Sequence, residues 1–216
     1  VGDSGSCDDV HSERVDLPSL RAVGGSVSLG SLTANTTVNF LAALAIVGGD
    51  LYVWRVSFST DLRLPSLYSV GGGVSQYYTA PVGLASLTHI EGDFYIVTWY
   101  YYPFEADNLG LPSLRYVGGS VTIDDGGYFF STLSFPALRT IGDALSVVTG
   151  RATGLDLGKL ESVGSNFYLS NYYDLSSLNT SALHSVGGNF LLESDYSLTE
   201  VSFGSLAFVR GYLKIT

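Results

Sequence analysis

Few side chains in this 216-residue sequence are of the types that activate nucleophiles or hold transition metals: three histidines, His11, His89 and His184, and one cysteine, Cys7. Asp124-Asp125, just ahead of Gly126-Gly127, either holds a hard cation weakly or solvates a turn. Charged residues make up only 14% of the chain, too few to identify the clustered carboxylates that glycoside cleavage needs. The groups that do cluster are aromatic: Tyr77-Tyr78, Trp99-Tyr100-Tyr101-Tyr102, Tyr128-Phe129-Phe130 and Tyr172-Tyr173. Such rings offer large apolar area, with a polar tip on tyrosine and tryptophan, which suits protein interfaces and stacking on sugars. The alternative is that individual rings plug wide corners of the core, although four consecutive aromatics cannot all point inward.

Two Asn-x-Ser/Thr sequons, Asn35-Thr36-Thr37 and Asn179-Thr180-Ser181, are acceptors for N-linked glycans and favour a secretory route. A single cysteine cannot close an internal disulfide, so Cys7 implies an intermolecular partner, a cysteine outside this segment, or a free thiol. The chain lacks methionine and opens at Val1, as a processed or partial chain would. Twenty acidic against 10 basic residues give a net charge of -10, which argues against nucleic acid or an anionic membrane surface as partner. The longest purely apolar run, Phe40 to Val47, is far shorter than the roughly 20 residues needed to cross a bilayer.

The elements that must position these groups come from a repeat, L-x-x-L-x-x-V-G-G-x-φ-x-φ with φ apolar, found nine times. Its central leucines are Leu20, Leu44, Leu67, Leu87, Leu114, Leu138, Leu160, Leu183 and Leu206, spaced 20 to 27 residues apart. Three residues later stands a wholly β-branched column, Val23, Val47, Val70, Ile90, Val117, Ile141, Val163, Val186 and Val209, which suits a strand. Three residues earlier the column from Leu17 to Phe203 is apolar except for Thr180. A glycine-rich turn follows, where glycine is free to supply positive φ, and then a strand of period two. In the third repeat Val74/Gln76 turns one polar residue inward.

One such unit cannot bury its own apolar face, so the units must stack. The sequence therefore predicts an all-β fold, a parallel β-solenoid of about nine 20–27-residue coils, about 43 Å long at the usual strand spacing. Residues 1–14 form a lead-in or cap, residues 15–216 the solenoid domain, and the ninth coil stops at its second strand. Four prolines, Pro18, Pro65, Pro112 and Pro136, share one corner position. The histidines occupy different repeat offsets, so the repeat pairs none of them for metal binding or catalysis. The aromatic runs fall at related offsets, which predicts a strip along one side. An outward column, Ser28, Tyr52, Ser75, Tyr95, Thr122, Ser146, Tyr168, Leu191 and Lys214, predicts a rather flat face.

The segments "LPSLRAVGGSVSL", "LPSLRYVGGSVTI" and "FPALRTIGDALSV" resemble repeats of the receptor L-domain family and of fungal GPI-anchored cell-wall proteins. The resemblance covers nearly all of residues 15 to 216. It implies a right-handed β-helix, an extracellular or cell-surface location and a non-catalytic role in ligand binding or surface organisation. Ordinary leucine-rich repeats fit less well, because no asparagine column follows the strand. The resulting expectation is a structural or adhesive module without enzymatic activity, cofactor or metal. It would assemble with copies of itself or other extracellular proteins, into filaments if the uncovered ninth coil pairs. A ligand-binding ectodomain reading a peptide or glycan through Trp99 to Tyr102 is the competing expectation.

Overall fold

The computed structural model describes residues 17–32, 41–56, 62–79, 82–98, 106–124, 130–148, 152–170, 174–193 and 197–216. Within them the chain is all-β and winds into a parallel solenoid with three walls. The first wall is the β-branched column: two-residue strands from Ala22–Val23 to Phe208–Val209, nine in all, pair in parallel with Val23 on Val47 and Val186 on Val209. The second wall, also nine-stranded, runs from Val27–Gly30 to Leu213–Ile215. Its inward residues stack in register, Leu29 on Val53, Gln76 on Ile96 and Leu169 on Leu192.

A third, five-stranded wall was not anticipated; its segments read as inter-repeat loops. It comprises Ala106–Gly110, Phe130–Ser134, Gly154–Asp156, Ser177–Asn179 and Glu200–Ser202. Leu109, Leu133, Leu155 and Leu178 point into the core from this wall, each two residues ahead of the first column of the repeat. Leu62 and Val82 hold the same place in earlier coils, where pairing among described residues is a single bridge between Arg63 and Gly83.

The corners explain the rest of the motif. The L-x-x-L segment is a β-turn in which the N–H of Leu67 donates to the Leu64 carbonyl at 3.1 Å, and that of Leu138 to Phe135 at 3.1 Å. Proline at its second position fits a preset φ and a missing donor. The glycine turn has a different cause from the one the sequence suggested, since none of its described glycines has a left-handed φ. Successive turns stack so closely that a Cβ on Gly48 would overlap the Gly24 carbonyl oxygen, and one on Gly142 that of Gly118. That approach lets Gly142 N–H donate to Val117 O at 2.8 Å, so the ladder of hydrogen bonds turns the corner unbroken. Side chains just after the turn extend it: Asp50 Oδ1 accepts from Gly73 N–H at 2.7 Å, and Asn166 Oδ1 from Asn189 N–H at 2.8 Å.

Nine rungs stack, and the seven between the outer two are covered on both sides. The solenoid thus makes about seven turns, slightly fewer than the nine coils, the ninth incomplete, that the repeats predict. Leu44 and Leu183 are fully buried, whereas Leu20 and Leu206 are only partly so and Leu213 is 57% exposed. One polar intruder is fully satisfied and the other half so, because the buried Gln76 Nε2 has no hydrogen-bond partner among the described residues. Thr180, 0% exposed, donates its hydroxyl to Ser202 O at 2.8 Å, and Gln76 Oε1 accepts from Val82 N–H at 3.1 Å.

Candidate functional site

The described aromatic candidates separate into two groups. Tyr77 and Tyr78 lie at the outer end of the second wall, with Tyr78 43% exposed. Phe130 is 1% exposed and faces the core from the third wall, so it is removed from the surface candidates. It has no polar tip, and its burial does not follow the period-two alternation of its strand, since Leu133, three residues on, is buried as well. Trp99, Tyr100, Tyr101, Tyr102, Tyr128, Phe129, Tyr172 and Tyr173 lie outside the described residues, as do Asn35 and Cys7. Asn179 is exposed, but on a strand of the third wall rather than in a loop. Its Nδ2 donates to Asp156 at 3.1 Å and its Oδ1 accepts from Ser181 N–H at 3.2 Å.

A site missed in the sequence lies on the second wall, where coils two to four present Tyr52, Trp54, Tyr77, Tyr78 and Tyr95. Strand alternation turns Tyr52 and Trp54 to the same outer face, two residues apart within Leu51–Trp54. Register places Trp54 beside Tyr77, yet the two rings have different neighbours. The Trp54 indole lies over Gly30 of the preceding coil, in space that any Cβ there would occupy. Tyr77 lies against Tyr95 of the following coil, with ring centroids 5.2 Å apart and planes tilted by 46°. Between them is an open groove of about 510 Å³ lined by Ser28, Tyr52, Trp54, Arg55, Tyr77 and Tyr78. That volume falls within the ordinary range for small-ligand sites.

The backbone beneath the groove is strained in register. Ser31, Arg55 and Tyr78, each just past its strand, have φ of 54°, 49° and 52°. Each such residue costs about 1–3 kcal/mol, and strain of this kind gathers at ligand clamps. It is held by the ladder: Arg55 N–H donates to Tyr77 O at 3.0 Å and Tyr78 N–H to Val97 O at 3.0 Å. Polar groups are fixed as well. The Tyr52 hydroxyl donates to Asp50 Oδ2 at 3.1 Å, and this hydrogen bond holds its pKa above the ordinary phenol value. Burial, followed by the nearby Tyr77, raises that of Tyr95. The Arg55 guanidinium sits 5.8 Å from the Trp54 ring centroid, within cation–π range.

Elsewhere, no group of three or more His, Cys, Asp or Glu among the described residues is placed to hold a metal ion. No helix among them is long and apolar enough to cross a membrane. Comparison with family models, curated proteins and solved structures finds no match to this chain.

Proposed function

We propose that the chain is a non-enzymatic recognition and adhesion module of an extracellular or cell surface, with the aromatic groove of coils one to three as its binding face. The observation that carries this reading is the coincidence, in the second and third coils, of outward rings and left-handed residues that together line the groove. A rigid solenoid with such a face is suited to holding a partner, because little order remains to be imposed on binding. Among the described residues the groove lining contains no carboxylate and no imidazole, which favours binding over acid–base chemistry. An extracellular location draws on the sequons and on the resemblance to receptor L-domains and wall proteins. If that resemblance reflects common descent, a role in surface organisation follows as well.

The test is binding of the full chain to arrays of immobilised glycans and peptides, beside a variant carrying Tyr52→Ala, Trp54→Ala and Tyr77→Ala together. The reading expects specific spots that the triple variant loses while its circular dichroism and melting curve remain those of the parent. Spots retained by the variant would remove the groove from recognition.

Self-association is a second reading, favoured by exposed apolar residues on the other side of the same coils. Ile46 and Tyr68 are both exposed there, on or beside the first wall. Sedimentation velocity across a concentration series checks it: a mass that rises with concentration and reverts on Ile46→Lys supports this reading, and a constant monomer mass rejects it.

A further inference from the structure

We infer that the groove of coils one to three binds an uncharged oligosaccharide, with a sugar ring held between Trp54 and Tyr77; this rests on the recognition reading above. Four features of the site select that chemistry. The two rings come from strands that pair in register, so their attachment points are about 4.8 Å apart, yet the side chains incline in opposite directions. Trp54 lies back over Gly30 and Tyr77 forward against Tyr95, and both residues line the groove. The apolar C–H face of a pyranose stacks on aromatic surface, while its rim of hydroxyls needs donors and acceptors close by.

The groove offers both. Ser28 supplies a hydroxyl, Arg55 donors, and Tyr52 a phenol whose proton is already directed to Asp50. The phenol oxygen is thus oriented as an acceptor. A sugar hydroxyl, which donates and accepts at once, matches this mixed set better than a purely accepting phosphate or sulfate does.

Charge selects against polyanions. The one cation of the lining, Arg55, faces the Trp54 ring and has Asp50 in the same coil, within a chain of net charge -10. A peptide added as a strand is disfavoured for another reason. The strand Leu51–Trp54 is already paired on both sides, with Val27–Gly30 and with Val74–Tyr77, so its backbone has no free edge to extend. A proline-rich helix needs no edge and is the competing occupant to be tested.

Gly30 is a positioning residue in this scheme. A methyl group there would displace the indole without removing any ring.

The experiment is titration of the full chain, followed by calorimetry and by tryptophan emission, with chitohexaose, cellohexaose, laminarihexaose and mannohexaose as probes. A sulfated heparin hexasaccharide and a decaproline peptide are the contrasting arms. At least one neutral hexasaccharide is expected to bind and to change the emission. Trp54→Ala should weaken it at least tenfold, Gly30→Ala about threefold or more, and Trp54→Phe less than Trp54→Ala, with melting curves reporting that each variant folds. Absence of binding by all four neutral probes at millimolar concentration overturns the inference. Capture of decaproline or heparin alone, lost in Trp54→Ala, overturns the sugar assignment but leaves the groove as a recognition site. Hexasaccharide binding that is indifferent to Trp54→Ala and to the Tyr52/Trp54/Tyr77 triple variant overturns both.

Discussion

Coils two to four and coils five to eight are built on one repeat, yet they use their aromatic residues in opposite ways. In the earlier coils the rings of Tyr52, Trp54, Tyr77 and Tyr78 stand on the outer face, above left-handed residues. In the later ones Phe130, Phe135, Phe167 and Phe190 are buried. Phe167 and Phe190 stack at 4.5 Å with planes 10° apart, and Phe203 meets Phe190 edge-on at 5.3 Å. Phe94 of coil four is the link, buried and edge-on to Phe135. The third wall is strand-paired beside the later coils, whereas among the described earlier residues it is one bridge. One end of the stack therefore carries more of the cohesion and the other more of the exposed chemistry. A solenoid permits this division because each coil contacts only its neighbours.

The largest effect that would sharpen this contrast is expected from Phe167→Ala. Removing a fully buried, stacked ring should cost about 3–5 kcal/mol, read from urea denaturation; a loss below about 1 kcal/mol would place the cohesion elsewhere. Next comes the corner. Gly142→Ala forces a methyl group into the stacked Gly118 carbonyl and should cost about 1–3 kcal/mol. Gly110→Ala meets open space and should stay within about 0.5 kcal/mol. Equal costs at the two glycines would contradict the close-approach explanation of the turn.

Thr180→Val is a smaller change. It keeps the volume and removes the hydroxyl bonded to Ser202 O, leaving that carbonyl short of one partner, for a cost of about 1 kcal/mol in the same denaturation experiment. The earlier coils should show the smallest effect on stability. Trp54→Ala, at a partly exposed ring, should alter the denaturation midpoint little while removing hexasaccharide binding, the reverse of Phe167→Ala at permissive temperature.

One pH dependence lies on the alkaline side. The folded pKa of Tyr52 is raised, chiefly by the hydrogen bond to Asp50 and then by burial. Its contribution is therefore fully present below the unfolded phenol value of about 10 and is lost as pH rises through the higher folded value. Phenolate difference absorbance, with Tyr52→Phe identifying the Tyr52 contribution, should show Tyr52 titrating at higher pH in the parent than in Asp50→Asn, where the acceptor charge and its repulsion of the phenolate are gone.

Much of the fold was legible because the solenoid copies its constraints. Val23, Val47 and Val70 identify the first wall by β-branching, and the period-two pairs Leu51/Val53 and Phe94/Ile96 identify the second. The third wall escaped because its signal is one inward residue per coil, such as Leu133 or Leu155, which reads as the edge of a loop until paired with Phe135 or Leu157. The glycine doublet was located correctly and explained wrongly: what it accommodates is the neighbouring coil, a relation that the sequence does not display.

The candidate site was half legible. Tyr77-Tyr78 was marked by adjacency, and Tyr52 and Tyr95 appeared in the outward column, but isolated rings in different coils carry no local signature of clustering. Register brought Trp54 beside Tyr77, and a glycine in the preceding coil gave its indole room. Neither is a property of one repeat. Phe130 illustrates the converse, because its place at the end of an aromatic run suggested the surface while the structure buries it at the start of a third-wall strand.

The division between the two halves is tested most directly by hydrogen exchange of the full chain with and without the hexasaccharide that binds it most tightly. The account predicts that added protection is concentrated in residues 27–31, 51–56 and 74–79, with coils five to eight unchanged. Protection centred on the third wall or on the later coils, with none across those three segments, would contradict it.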